Sequence, residues 1–403
     1  MLVSIAANFF LGIAIDKNKR KSILIIGVAF NLLLLIYFKY FGMLFGSVFN
    51  LPDYITNIAL PIGISFYTFQ IMSYIIDIYR GDAVAQKNIF KLALYVSLFP
   101  PLIAGPIVRY HDIAEQIDER KSEPNNIVAG IRRFIIGLSK KMLIANVVAQ
   151  MADKIFDGNY SSLPTGMAWL GILCYTLQIY FDFSGYSDMA IGLSKMFGFK
   201  LLENFNYPYV SRSIQEFWRR WHISLSTWFR DYLYIPLGGN RKGLTRTVIN
   251  SIIVFTLCGL WHGASWSFVI WGLYHGIFLT AERLGFKNIL SKIPKSLSFI
   301  YSTLIVMIGW VFFRVPLISD AWEYLKVMFT WRAGEFTSAE LMITPYFIFI
   351  LCVGIISATP VLNKFKDTKF CRITSYIAIP ILLILCMSAL ANNTYNPFIY
   401  YRF

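Results

Sequence analysis

The chain has 403 residues, 57% of them hydrophobic and 17% aromatic, against about 45–50% apolar in soluble domains. The excess lies in long uninterrupted runs, which exclude a soluble globular fold and require helices, because lipid offers backbone groups no partner. The formal net charge of +15 does not point to nucleic acid here, since cytoplasmic loops of membrane proteins carry Lys and Arg for orientation and meet anionic lipid.

Met1–Ile15 is apolar throughout but short for a span, and the basic cluster Lys17–Lys21 follows it. That order is the reverse of a cleaved signal peptide and sets the N-terminus outside with the cluster inside. Ser22–Leu44 and Asn57–Tyr79 are candidate spans. The loop between them, Phe45–Thr56, carries only Asp53 and suits the outside, whereas Arg80, Lys87 and Lys91 suit the inside. Further apolar runs at Ile89–Val108, Met167–Phe183, Val248–Leu279, Ile300–Val315, Thr344–Ala358 and Ser375–Leu390 bring the expectation to about nine to eleven membrane segments, some re-entrant or interfacial. No repeat, low-complexity segment or linker divides the sequence. Residues 1–403 are therefore expected to form one all-α, polytopic membrane domain.

Two polar stretches interrupt the pattern: Arg109–Asn126 and Lys195–Arg246. The second alternates aromatic with basic residues through Phe217, Trp218, Arg219, Arg220, Trp221 and His222, then Trp228, Phe229, Arg230 and Asp231. Such a segment is expected to lie in or near the membrane interface. Ser213 with Glu216 has the capping-box spacing for a helix through Trp218, and Pro236 with Gly238–Asn240 ends the segment in a turn. Arg219, Arg220, Arg230 and Lys195 either receive the phosphates of a carrier such as coenzyme A or contact headgroups. Asp182 and Asp188, at the end of the Met167–Phe183 run, either line a polar funnel, orient His222, or sit solvated at a helix end.

The four histidines are His111, His222, His262 and His275. A span from about Ile252 to Gly272 places His262 at its midpoint, where an ionisable group is costly and reads as functional; the alternative is an interhelical hydrogen bond. Gly259, Gly263 and Ala264 beside it allow close approach to the helix. On the same continuous helix His275 lies about 220° round from His262 and reads as structural or interfacial. His222 is either a second pocket group or an interfacial residue, and His111 reads as structural or loop-lining. Cys258 sits one turn before His262 on the same face, so a Cys–His nucleophile is conceivable beside plain packing. The five cysteines form no CxxC pair, and neither HExxH, GxSxG, a P-loop nor a helix-opening GxGxxG is present, so no metal site is expected. A lone neutral imidazole suits general-base work, taking the proton of an acceptor hydroxyl as its oxygen attacks a thioester.

Taken together, Leu60–Phe66, Gly105–Asp112, Tyr180–Asp188, Glu216–Ser226, Tyr234–Arg241, Gly259–Gly263, Gly309–Arg314 and Asn393–Tyr400 resemble the membrane-bound O-acyltransferase family, and within it the alginate O-acetylation branch. The resemblance covers about residues 60–403. It implies a ring of helices around a core pierced by funnels from both faces, in the inner (cytoplasmic) membrane. It implies that His262 matches the catalytic histidine and His222 the second motif histidine. Trp218, Arg219, Arg220, Trp221, Ser226, Arg230, Asp182, Asp188 and Trp261 are candidates for binding the donor or substrate. The implied donor is a cytoplasmic thioester, acetyl-CoA, acting as substrate with no bound cofactor. The acceptor would be an exopolysaccharide or cell-wall glycan, reached through an extracytoplasmic partner acetyltransferase of SGNH-hydrolase type. A related branch transfers D-alanyl from a carrier protein toward teichoic acid; the Pro236–Asn240 turn resembles the alginate branch more closely, which favours acetyl. Family members usually begin with further hydrophobic sequence, so Met1–Val3 reads as entry into a span already under way, in a fragment or short variant. The rival classes are a polysaccharide transporter with His262 as proton relay, a scaffold for a partner enzyme, and a polytopic glycosyltransferase for which Asp182 and Asp188 would be the acidic groups.

Overall fold

The computed structural model describes residues 1–46, 58–333, 339–365 and 368–392, and among them every regular element is helical. Helix α1 (Leu2–Asn18) and helix α2 (Lys21–Leu35), which continues through wider π-helical turns at Ile36–Tyr40 and Gly42–Gly46, pack on α3 (Ile64–Arg80). Between α1 and α2 the amides of Asn8 and Asn31 bond each other reciprocally at 2.7 and 3.0 Å. Paired amides of this kind join helices where lipid gives polar groups no alternative.

The run Ile89–Val108 is not a span. It forms only α4 (Ile89–Val96) and then irregular backbone, because Pro100, Pro101 and Pro106 remove donors and clash with a continuing helix. After α5 (Tyr110–Glu119), helix α6 (Pro124–Ser139), a π-helical stretch Lys140–Ala145 and α7 (Asn146–Phe156) form one rod of 33 residues, long and apolar enough to cross a membrane. The sequence reading passed over this rod because Arg132, Arg133, Lys140 and Lys141 break its apolar pattern. Arg133, Lys140 and Lys141 turn toward α8 (Thr165–Met196), while Arg132 lies over the ring of Tyr376. Lys141 pairs with Asp182 at 2.6 Å, Lys140 with Asp188 at 2.6 Å, and Arg133 with Asp188 at 2.8 Å and with Glu203. Asp182 and Asp188 therefore do not flank a helix end or orient His222; α8 runs on past both, and they anchor it to the neighbouring rod.

The aromatic-basic segment folds into two short helices, α9 (Ile214–Arg220) and α10 (Ile223–Phe229), followed by a wide turn Arg230–Tyr234. Its aromatic side chains face the protein core. Phe217, Trp218, Trp221, His222, Trp228 and Phe229 are all buried, and the arginines alone keep to the outside of the segment, exposed at Arg219 and Arg230 and half-buried at Arg220. The expected cap forms: Ser213 Oγ accepts from Glu216 N at 3.0 Å, while the Glu216 carboxylate accepts from Arg212 N. Glu282 adds a second, unexpected cap, accepting from Ile214 N and Gln215 N at 2.6 and 2.9 Å; burial raises its carboxyl above the ordinary range against the pull of those donors.

The Val248–Leu279 run is likewise not one helix. Helix α11 (Leu244–His262) ends at His262, the chain turns through Gly263–Ser265, and α12 (Trp266–Ala281) returns antiparallel to it. The backbones nearly touch. A Cβ on Gly259 would sit 2.2 Å from the Phe268 carbonyl oxygen, and one on Gly272 would sit 2.3 Å from that of Phe255. Gly259 and Gly263 beside His262 thus admit the returning helix. Helices α13 (Lys287–Lys292), α14 (Lys295–Arg314), α15 (Ile318–Phe329), α16 (Pro345–Ser357) and α17 (Lys369–Asn392) complete the described chain. Five helical segments among the described residues are long and apolar enough to span: Lys21–Tyr40, Pro124–Phe156, Leu244–His262, Lys295–Arg314 and Ile373–Ala391. The larger number of segments expected from the apolar runs resolves into shorter or charge-bearing helices. The Asn393–Tyr400 motif lies outside the described residues.

Candidate active site

His262 closes α11, and its surroundings come from every part of the chain. Lys39, at the end of α2, donates to the carbonyls of Trp261 at 2.6 Å and His262 at 3.1 Å and to Ser65 Oγ at 3.2 Å. Tyr40 OH donates to the Leu260 carbonyl at 2.5 Å. The last carbonyls of a helix lack intrahelical donors and carry its negative end; a lysine and a tyrosine from 220 or more residues away fill that need here. His262 is 6% exposed, and its ring packs edge-on against Trp261, Trp271 and Phe313, with centroids 5.0, 5.2 and 5.1 Å away.

The His222 ring centroid is 6.4 Å from that of His262. His222 has a left-handed backbone, φ 43° and ψ 55°, which is costly for a residue with a Cβ and persists only when its surroundings hold it. Asn204 does so. Its backbone carbonyl accepts from Ile223 N at 2.9 Å, and its Oδ1 accepts from Ser224 N and Ser224 Oγ. The same oxygen lies 3.1 Å from His222 Nδ1, so Nδ1 carries the proton and Nε2 the lone pair. Sequence reasoning left Asn204 without a role, since a loop asparagine 18 residues upstream carries no local signal. It also missed Lys39, although a lysine inside an apolar run is the kind of residue that marks a membrane site. Asn204→Ala orphans the donors of His222 and Ser224 and is expected to cost at least about 1–3 kcal/mol of stability. The exposed Asn206→Ala should stay within about 0.5 kcal/mol of wild type. Thermal unfolding in detergent compares them, and equal shifts would contradict the assignment.

Two cavities border the last turns of α11. The larger, about 460 Å³, is lined by Trp218, Arg219, Ser226, Arg230, Cys258 and Arg283 among others. Arg230 neighbours Asp231, whose carbonyl accepts from Arg80 at the C-terminal end of α3. The smaller, about 230 Å³, is lined by Lys39, Leu60–Phe66 at the N-terminal end of α3, Ile103, Trp261 and His262. Cys258 and His262 are one turn apart on α11, about 6 Å of rise, and each faces a different cavity. A third, minute void touches His262 and Trp221.

Of the residues singled out from sequence, Trp218, Arg219, Ser226 and Arg230 thus share the larger cavity, and Trp261 and His262 share the smaller. His222 is fully buried beside them. Arg220 turns away to Glu216 and the Asn206 carbonyl, and Lys195 lies at a separate surface groove with Glu119 and Lys121. His111 is held by Asp77, with Nδ1 2.9 Å from its carboxylate. His275 is buried in the core. The backbone reversal voids its angular relation to His262 and buries it against Trp218 and Trp271, with centroids 5.2 Å from both.

The sequence model of the membrane-bound O-acyltransferase family matches residues 83–316. A probable alginate O-acetylase of Pseudomonas aeruginosa is 48% identical over 79% of this chain and 63% of its own length, so the chain spans less than two thirds of that relative. A probable alginate O-acetylase of Pseudomonas putida is 41% identical over 94% of this chain and 84% of its own length. A peptidoglycan O-acetyltransferase of Helicobacter pylori is 38% identical over 81% and 68%. With apolar spanning helices and a family match that takes in both histidine motifs, the chain is a multi-pass membrane protein that belongs to the membrane-bound O-acyltransferase family.

Proposed function

We propose that this chain moves an acetyl group from a cytoplasmic acetyl-CoA thioester to a hydroxyl presented from the other side of the membrane, with His262 as general base. The observation that carries the reading is the single helical turn of α11 between two cavities, Cys258 facing one and His262 the other. Arg219, Arg230 and Arg283 line the larger cavity and suit the phosphates of a coenzyme A thioester. The larger cavity faces the cytoplasm, since it lies by Arg80 at the end of α3 that the positive-inside rule sets inside. The acceptor hydroxyl enters by the smaller cavity and gives its proton to the His262 imidazole. Its oxygen bonds the carbonyl carbon, the carbon–sulfur bond breaks, and the proton passes on to the sulfur. His222 lines neither cavity and acts as a positioning residue behind His262. Residues 1–403 work as one membrane domain, in the cytoplasmic membrane. The names of the relatives support an exopolysaccharide or cell-wall glycan as final acceptor, and the family resemblance supports an extracytoplasmic partner acetyltransferase as the route to it.

The test is transfer of radiolabelled acetyl from acetyl-CoA by purified protein in lipid vesicles, with D-alanyl carrier protein as the rival donor. Thiol release with label on an added glycan is the expected result. Activity with the carrier protein alone would move the donor to D-alanyl, and glycan movement without thioester consumption would leave a transporter.

A further inference from the structure

We infer that the small void against His262 seats the methyl group of the acyl donor, and that its walls restrict the enzyme to acetyl thioesters. This rests on the acyl-transfer reading above and adds to it the acyl group selected. The void measures about 10 Å³ and is walled by Ile179 and Phe183 of α8, Trp221, Trp271, and Trp310 and Phe313 of α14, with His262 completing it. That is room for a single small group. An acetyl group places one carbon beyond its carbonyl, so its methyl fits while the carbonyl remains beside His262. Propionyl and butyryl add one and two further carbons. D-alanyl carries three heavy atoms beyond the carbonyl, one of them an ammonium.

The walls are chemically uniform and braced. No carboxylate, hydroxyl or amide side chain lines the void, so an ammonium entering it would shed water and find aromatic rings, Ile179 and at most the one imidazole of His262, with no space for the methyl beside it. Trp271 stacks on Trp310 at 6.1 Å and 16°, and both meet Phe313 edge-on at 5.2 and 5.4 Å. Trp221 lies 5.0 Å from Trp310. Trp310 Nε1 donates to Tyr209 OH at 3.2 Å, and Tyr209 OH donates to the Thr176 carbonyl of α8 at 2.7 Å, so the tryptophan is tied across the core. Packed rings that brace one another do not give way to an extra carbon without cost.

The experiment measures kcat/KM for CoA release from acetyl-, propionyl- and butyryl-CoA by the full chain in lipid vesicles, for wild type, Phe313→Leu and the milder Ile179→Val. Wild type is expected to lose about 10–200-fold per added carbon. Each wall variant should raise the butyryl-to-acetyl ratio, by about tenfold or more for Phe313→Leu. Because the readout is a ratio, a smaller folded fraction in a variant does not imitate the effect. Butyryl used within a few-fold of acetyl by wild type would overturn the proposal, as would selective wild type whose ratio neither variant moves. Wild type that releases thiol from no acyl-CoA would overturn the acyl-transfer reading itself, a failure distinguishable from loss of selectivity alone.

Discussion

His262→Ala is expected to lower thioester-dependent acyl transfer by about 10²–10⁴-fold, the range a positioned general base supplies, with the protein still folded in the membrane. The fold survives because what fixes the end of α11 is backbone. Lys39 and Tyr40 bond the carbonyls of Trp261, His262 and Leu260, and alanine keeps all three. What is lost is the imidazole that lines the smaller cavity and the acyl void. His275→Ala is the matched control. It removes an equally buried imidazole with ring contacts of the same 5.2 Å separation to Trp271, but from a position that lines neither cavity. Initial rates of CoA release at equal protein abundance separate the two. A His275 variant that falls as far as the His262 variant would make the effect one of packing, and an active His262→Ala would remove the general base from the mechanism.

The site was legible in the sequence where it is local and illegible where it is assembled. Motifs Glu216–Ser226 and Gly259–Gly263 each announced a histidine among aromatics, and the fold brings those histidines within 6.4 Å of each other. The reversal at Gly263–Ser265 left no mark in hydropathy, because an apolar hairpin and an apolar span read alike. The angle drawn across the reversal, from His262 to His275, therefore failed. The reading of α9 and α10 as interfacial followed their tryptophans and arginines correctly as composition. It missed that the aromatic face turns inward, to Phe255, Trp271 and Trp310. Asn204, Lys39 and Glu282 act across gaps of 18, 222 and 68 residues, and no spacing rule reaches them.

Asp182 shows the same limit in a form that a stability measurement resolves. From sequence it was a candidate for the funnel. In the fold its carboxylate is 1% exposed and lies 2.6 Å from Lys141, itself 9% exposed. Taking both charges out of water is expensive, and their attraction repays it only while both are present. Lys141→Met is therefore expected to cost about 3–5 kcal/mol by taking the lysine charge from a buried carboxylate. That is a large part of the roughly 5–15 kcal/mol that holds a typical domain together, so the variant should accumulate poorly and unfold earlier in detergent. Asp182→Leu, which strands the ammonium, should behave alike. The double variant removes the charge pair altogether and is expected to recover much of the loss, a coupling of about 0.5–3 kcal/mol or more. Strictly additive losses would mean that the pair does not act as a unit. The recovered double variant also decides the functional question. If it releases CoA from acetyl-CoA near the wild-type rate, Asp182 anchors α8 to the Pro124–Phe156 rod and nothing else; if it is stable but inactive, the carboxylate belongs to the acyl-transfer machinery after all.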